Sequence, residues 1–309
     1  MKNIQFQKHT RQSVHIEDSF YSGHRKMRAH FENNFKNPLH AHSGRFCWDY
    51  WNVPEQYRLL RTPAQDFFGD ALFTPFLNHL LQWGRKNLGC QMISHPWLSA
   101  YVNDCYQDMH SDVPHGPWSF VYSLTPWKKR RFSGGETFLS QGKLLNYFRQ
   151  FDSNSSDETA QLIQKIEPLE NRLVVFDPRY PHGVTRVNGV EDLLDARLVI
   201  HGWFTEPRPM IEGALTARKA IPTMDKYAQS LIDSFTGMDL SGIFCIRLEI
   251  APEGHVKKTN ILTAHLIHSQ NGQIASEAWI KSIILKCNEI RFPKSTGITK
   301  ITLPIEIKT

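Results

Sequence analysis

The stretch YVNDCYQDMHSDVPHGPWSFVYSL, residues 101–124, decides how this chain is read. Two later stretches belong with it: NRLVVFDPRYPHGV at 171–184 and DARLVIHGWF at 195–204. In all three, short apolar or alternating runs are cut by turn residues, which marks strands rather than helices. The pattern predicts strands over 97–102, 118–124, 137–139, 173–176 and 197–204, punctuated by Gly134-Gly135 and Asn171-Arg172. Many short strands with turns between them imply an antiparallel sandwich or barrel.

Within that frame the polar residues acquire positions. His110 and Asp112 are two residues apart at a strand end, so their side chains share one side. His182 follows the apolar run 173–176 and opens another strand, supplying a third candidate ligand from a distant part of the chain. Two histidines and one carboxylate make the facial set that holds non-haem ferrous iron and leaves open positions on the metal. Those positions suit a 2-oxo acid and O2. The far carboxylate of such an acid needs a cation at depth, and the planar fork of arginine pairs a carboxylate through two bonds. Arg197 heads the run 197–204, where Arg197, Val199, His201 and Trp203 fall on one face by alternation. That face is expected to be the interior.

These residues carry a resemblance. The segment from about 97 to 204 is similar to the prolyl-4-hydroxylase-like branch of the 2-oxoglutarate/iron(II) dioxygenase superfamily. The matching pieces are Tyr101 ahead of His110-x-Asp112, Gly134-Gly135-Glu136 after Trp127, Phe176 followed by Pro181-His182-Gly183-Val184, and Arg197-Leu-Val-Ile-His-Gly-Trp-Phe. The resemblance implies a double-stranded β-helix, or jelly roll, in a chain that is mainly β with helices. It implies Fe(II), 2-oxoglutarate and O2 as cofactors, with stimulation by ascorbate as a further expectation. By position, Tyr101 matches the tyrosine that hydrogen-bonds 2-oxoglutarate, and Trp203 the ring that walls its pocket. The retained Asp112 favours hydroxylation or a related oxidation over halogenation. Two features depart from the family. The step from His182 to Arg197 is long, so the insertion 187–194 is expected to form an extended hairpin and makes Arg186 a rival for the carboxylate. Val199 also stands where relatives carry a small hydroxyl residue.

Composition is consistent with this reading. The 309 residues suffice for a large domain and a small one. With 40% hydrophobic and 21% charged residues, the chain is globular and not disordered. A net charge of +6 steers anions. No long basic stripe accompanies it, so nucleic acid is not an expected partner; the run Lys128-Lys129-Arg130-Arg131 reads as a solvated loop. Five scattered cysteines without a CxxC exclude a disulfide framework and a cysteine zinc site. The opening MKNIQFQKHTRQ has no apolar leader, and no apolar run reaches the ~18 residues of a membrane span. The expected location is a reducing cytoplasm.

The expected domains are an oxygenase domain with a helical lead-in over 1–207, a linker with a short helix over 208–240, and a small α+β domain over 241–309. Residues 1–36 read as a loosely specified lead-in, 54–90 as helix ending at Gly89, and 150–160 as an exposed loop. Residues 241–309 resemble the C-terminal domain of TonB-type transducers through Phe244-x-Ile246-x-Leu248-x-Ile250, Pro252-x-Gly254-x-Val256 and Arg291-Phe292-Pro293. Without an anchor or proline-rich spacer in this chain, that implies only a module for protein–protein contact or dimerisation. Several polar residues have a plainer reading as well. His115 and His201 are candidate pocket residues or ordinary packing. Asp177 and Arg179 pair near the metal loop or cap a turn. Trp48 and Trp51 form a lid or pack against the helix. His9, His15, His24, His30, His40 and His42 show no ligand spacing. The substrate is a small molecule or a peptide. Two rival functions use the same residues: a metal-dependent hydrolase with Glu136 as base, and a non-catalytic scaffold.

Overall fold

The structure is a computed structural model and describes residues 14–39, 47–112, 115–140, 162–235, 240–268 and 277–307. The chain divides into two compact units, residues 14–81 with 92–205, and residues 82–91 with 206–309. The expected loop at 150–160 and His9, His40 and His42 lie outside the described residues.

The first unit opens with strand β1 (Val14–Glu17), helix α1 (His24–Phe35), strands β2 (Asp49–Val53) and β3 (Tyr57–Pro63), and helix α2 (Ala64–Asn87). Strands β4 (Cys90–Ile93), β5 (Trp97–Tyr101), β6 (Tyr106–His110), β7 (Trp118–Ser123), β8 (Thr137–Ser140), β9 (Ile163–Ile166), β10 (Leu173–Phe176), β11 (His182–Val184) and β12 (Arg197–Pro207) follow. The ladder runs β1-β10-β7-β12-β5-β3-β6-β11-β8-β9. From β5 to β12, strands alternate between two four-stranded groups, β5-β12-β7-β10 and β6-β11-β8-β9, except that the consecutive β8 and β9 pair within the second; every pairing is antiparallel. This alternation is the double-stranded β-helix of the jelly roll. β3 bridges the groups by pairing both β5 and β6.

The lead-in differs from the sequence expectation. Residues 57–63 are strand, not the start of a helix, because Tyr57, Leu59 and Arg61 alternate with Arg58 and Leu60 at period two. Helix α2 begins at Ala64, and its backbone breaks at Gly69, whose φ is 68°. Residues 24–35 form a helix whose Met27 and Phe31 are buried, so the lead-in is specified by its core contacts. Trp48 packs edge-on against Phe31, Phe35 and Phe67, a core role rather than a lid. The insertion 187–194 makes no extended hairpin: it forms a single bridge, Ser133 to Asn188, and a 3-10 turn at Leu193–Asp195. The basic run begins in another 3-10 turn, Trp127–Lys129, whose Lys128 and Lys129 are exposed.

The second unit contains β13 (Met210–Gly213), α3 (Ala217–Phe235), β14 (Leu240–Ile250), β15 (Val256–His268), α4 (Glu277–Glu289) and β16 (Thr299–Ile307). Its sheet is ordered β13-β16-β14-β15 and wholly antiparallel. Phe244, Ile246, Leu248 and Ile250, alternate residues of β14, pack with Leu215, Ala220, Met224 and Leu231 of the preceding segment and with Ile283 and Cys287 of α4. Residues 210–235, read from sequence as part of a linker, thus hold a strand and a 19-residue helix. The sequence pattern predicts only a short helix around 225–235; the helix starts eight residues earlier, at Ala217, and its apolar face is buried in this core.

Candidate metal and cosubstrate site

The two histidines are brought together by strand pairing. β11 runs antiparallel to β6 with His182 opposite His110, and Val184 opposite Gln107. Three steps on β6 match two on β11, so β6 carries a bulge beside the site. Bulges re-aim side chains in this way. Gln107 and His110, an odd number of residues apart, consequently line one cavity. Asp112 follows two residues after His110, and its backbone N–H donates to the Pro178 carbonyl of the loop before β11 at 3.0 Å. Gly183 is required by close packing: a Cβ there would lie 2.4 Å from the Gln107 carbonyl oxygen.

One ligand-type atom from each of His110, Asp112 and His182 lies within 4.8 Å of the others. His110 Nε2 is 3.8 Å from one carboxylate oxygen of Asp112, and His182 Nε2 is 3.3 Å from the other. Both Nδ1 atoms face carbonyls, His110 toward Asp108 at 2.7 Å and His182 toward Tyr180 at 2.8 Å. Each Nδ1 therefore carries the proton and donates it, which leaves the Nε2 lone pairs directed at the shared space. Burial pushes the His110 imidazole below its usual range, against the pull of the Asp108 carbonyl. Burial works to raise Asp112, but the imidazoles beside it, His182 foremost, outweigh it and hold the carboxyl low. Neutral imidazole and ionised carboxylate are the forms that bind a metal. This donor set suits a divalent first-row ion such as Fe(II).

Arg197 is 1% exposed and enters the same cavity from β12. Its Nε donates to the Gly135 carbonyl at 2.7 Å and its Nη2 to Thr137 Oγ1 at 3.1 Å, while Nη1 is buried without a hydrogen-bond partner. An unpaired N–H on a buried guanidinium is costly unless a ligand accepts from it. Arg197 lies over the ring of Tyr101, its cross-strand neighbour, at 4.5 Å. Burial pushes the Tyr101 phenol up to about 12, so it stays protonated, and it donates to Gln107 Oε1 at 2.9 Å. Arg197, Val199, His201 and Trp203 all line the cavity. His201 accepts or donates to Ser99 Oγ at 2.8 Å, and burial lowers its imidazole to about 4, so it is neutral and satisfied. Trp203 stacks on His115 at 4.5 Å, and its indole N–H is buried without an acceptor.

The rivals fall elsewhere. Arg186 is paired with Asp104 and lies over Tyr106, outside the cavity lining. Glu136 accepts from the Thr185 hydroxyl and does not line the cavity either. Asp177 and Arg179 do pair: the buried Asp177 carboxylate accepts from the Arg179 backbone N–H and guanidinium, shaping the turn that carries Tyr180 and His182. The residues that sequence reading missed are on β3 and at the start of β5. Tyr57, Leu59, Arg61 and Trp97 line the cavity, beside Trp51 of the expected lid pair. The signal was the period-two alternation of Tyr57, Leu59 and Arg61. The cavity holds about 520 Å³, room for a small substrate beside a dicarboxylic acid.

Residues 96–205 match the family model of the 2OG-Fe(II) oxygenase superfamily. No curated protein matches the chain. Among solved structures, a Pseudomonas putida prolyl-4-hydroxylase is similar at 16% identity, over 64% of this chain and 94% of its own, with a TM-score of 0.43. A Trichoplax adhaerens prolyl hydroxylase in complex with a peptide fragment of hypoxia inducible factor is similar at 15% identity, over 62% and 83%, with a TM-score of 0.41. HygX from Streptomyces hygroscopicus with nickel and 2-oxoglutarate bound shows 12% identity over 62% and 81%, with a TM-score of 0.39. The strand alternation, the clustered His110, Asp112 and His182 and the family match meet in the same residues: over 96–205 the chain carries a 2OG-Fe(II) oxygenase domain, of a family whose cofactors are Fe(II), 2-oxoglutarate and O2.

Proposed function

We propose that this chain hydroxylates an unactivated C–H bond of a small molecule or peptide, with release of succinate and CO2. His110, Asp112 and His182 hold Fe(II), and Arg197 takes the distal carboxylate of 2-oxoglutarate. Tyr101 adds a hydrogen bond to the same cosubstrate, and Trp203 walls it. The observation that carries the reading is the buried Arg197 with Nη1 unpaired, on the cavity that the three ligands also line. Bound Fe(II) supplies the activation of O2 and with it the coupled oxidation of 2-oxoglutarate and substrate. The protein's own part is orientation. The Nδ1 bonds to Asp108 and Tyr180 fix both imidazoles, and the Gly135 and Thr137 bonds fix the guanidinium before any ligand arrives.

A hydrolase built on the same ligands lacks support, because Glu136, its base, is engaged by Thr185 and stands off the cavity. For the second unit, the outer strand β15 supports the modest reading of a module that pairs an edge with a partner or a second copy. No helix among the described residues is long and apolar enough to cross a membrane.

The test is anaerobic addition of Fe(II) and 2-oxoglutarate, watching for the visible metal-to-ligand absorption band. The wild type is expected to show the band, Arg197→Ala to weaken it and His182→Ala to lose it. Iron bound without a band would overturn the proposal.

A further inference from the structure

The cavity wall contributed by the β2–β3 hairpin contains a second guanidinium. Arg61 lies over the rings of Trp51 and Trp97, 4.3 Å from the centre of the latter, and lines the same cavity as Arg197. The two arginines flank β5: Arg61 is the cross-strand partner of Ser99, and Arg197 that of Tyr101. Two residues along a strand and two strands across put their backbones roughly 12 Å apart. One small dicarboxylate held by Arg197 therefore leaves Arg61 free for another group.

Arg61 has little of its own to neutralise it. Its one ion-pair partner among the described residues is Asp49, reached from Nε at 3.4 Å, with the carboxylate 62% exposed. Neither Nη nitrogen makes a hydrogen bond to a described residue. Burial pushes the guanidinium's pKa down, though Asp49 partly restores it. Such a cation, planar and backed by two indoles, is held with its fork available, the form in which arginine recognises carboxylates and phosphates.

The charge count of the cavity points the same way. Its lining has two guanidiniums and one carboxylate, Asp112. Fe(II) would add two positive charges and 2-oxoglutarate two negative ones, which leaves the lining itself with an excess of one positive charge. Asp49 offsets that charge from outside the lining and from an exposed position, where an ion pair contributes little. A monoanion beside Arg61 removes that excess.

We propose that Arg61, clamped between Trp51 and Trp97, is the substrate anchor, and that the substrate presents an anionic group, a carboxylate or a phosphate ester, to its Nη nitrogens. This rests on the oxygenase reading for the identity of the first anion, but it is tested separately from it.

The test uses the full chain loaded with Zn(II) and 2-oxoglutarate and labelled with 15N in arginine. Side-chain N–H signals of Arg61 and Arg197 are assigned from Arg61→Lys and Arg197→Lys. Acetate, methyl phosphate and neutral acetamide are then titrated. The expected result is a saturable shift of the Arg61 signal with the anions and none with acetamide. The anion that saturates at lower concentration identifies carboxylate or phosphate ester as the source. Arg61→Gln is expected to weaken binding of that anion about tenfold or more, followed through tryptophan fluorescence. Asp49→Asn, which leaves the stack intact, is expected to tighten it by a few-fold. An Arg61 signal unmoved by both anions, with Asp49→Asn without effect, would show the stack to be only a clamp on the hairpin and overturn the proposal. The Arg197 signal reports independently on 2-oxoglutarate, so failure of the oxygenase reading would appear there and not at Arg61.

Discussion

In the jelly roll, a buried arginine keeps one nitrogen unpaired, two histidines and a carboxylate face a cavity, and the indole N–H of Trp203 finds no acceptor. In the C-terminal unit, β14, β16, α3 and α4 close on one another through side chains such as Phe244, Leu231 and Ile283. The buried thiols of that unit behave as small apolar groups: burial pushes Cys245 up to about 12 and Cys287 to about 11, and both stay protonated. Each pattern has its own energetic logic. The second unit gains by removing apolar area from water. The first tolerates unsatisfied polarity, which a ligand could relieve. Stability and ligand response should therefore separate along the chain.

The sharpest way to break that separation is at a ligand. His182→Ala is expected to weaken Mn(II) binding about a hundredfold or more, one ligand's share of a site worth on the order of 10 kcal/mol. In the wild type, Mn(II) with 2-oxoglutarate is expected to slow hydrogen exchange in β6 and β11 while leaving β14 and β15 unchanged. Equal protection in both units would show the division to be wrong. The converse experiment acts on the other core. Phe244→Ala is expected to cost about 4 kcal/mol in urea denaturation, with Mn(II) affinity unchanged.

Acid probes the first unit through His201. Burial lowers its imidazole from 6.5 to about 4 in the folded chain. The unfolded chain takes up the proton below 6.5 and the folded one only near 4. Stability is thus retained above 6.5 and lost as pH falls from 6.5 toward 4, by up to about 3 kcal/mol. His15 on β1 is shifted in the same direction to about 4 and adds to the loss. Exchange in β5 and β12 is expected to accelerate at pH 5 ahead of that in β14 and β16, and His201→Gln to remove its part of the effect. The smallest expected effect is at Tyr101→Phe, which removes the bond to Gln107 and weakens 2-oxoglutarate binding about fivefold, roughly 1 kcal/mol. Calorimetric titration with unchanged affinity would take Tyr101 out of the cosubstrate site.

The parts of the molecule legible in sequence are those where local pattern and chemistry coincide. The run 173–176 could only be a buried strand, and Arg197 at the head of an apolar alternation had only a cavity to enter. The lead-in was harder because its period-two signal in Tyr57, Leu59 and Arg61 abuts the helical stripe beginning at Phe67, and the longer pattern absorbed the shorter one. The helix α3 was read too short because Pro222 falls within its early turns and argues locally against helix. Its apolar contacts in the core decide the matter, and those are non-local. The clamp on Arg61 joins Trp51, Arg61 and Trp97 from three strands, which no single window of sequence contains.

The bulge in β6 has a consequence for anyone who would move this site to another scaffold. On a regular strand, residues 107 and 110 point to opposite faces, because three is odd. Only the extra residue restores their parity, so that the acceptor for Tyr101 and the first imidazole look into one space. The segment is therefore not portable as a string. Copied onto an unbulged strand of any host, it would offer a given face either Gln107 or His110, never both.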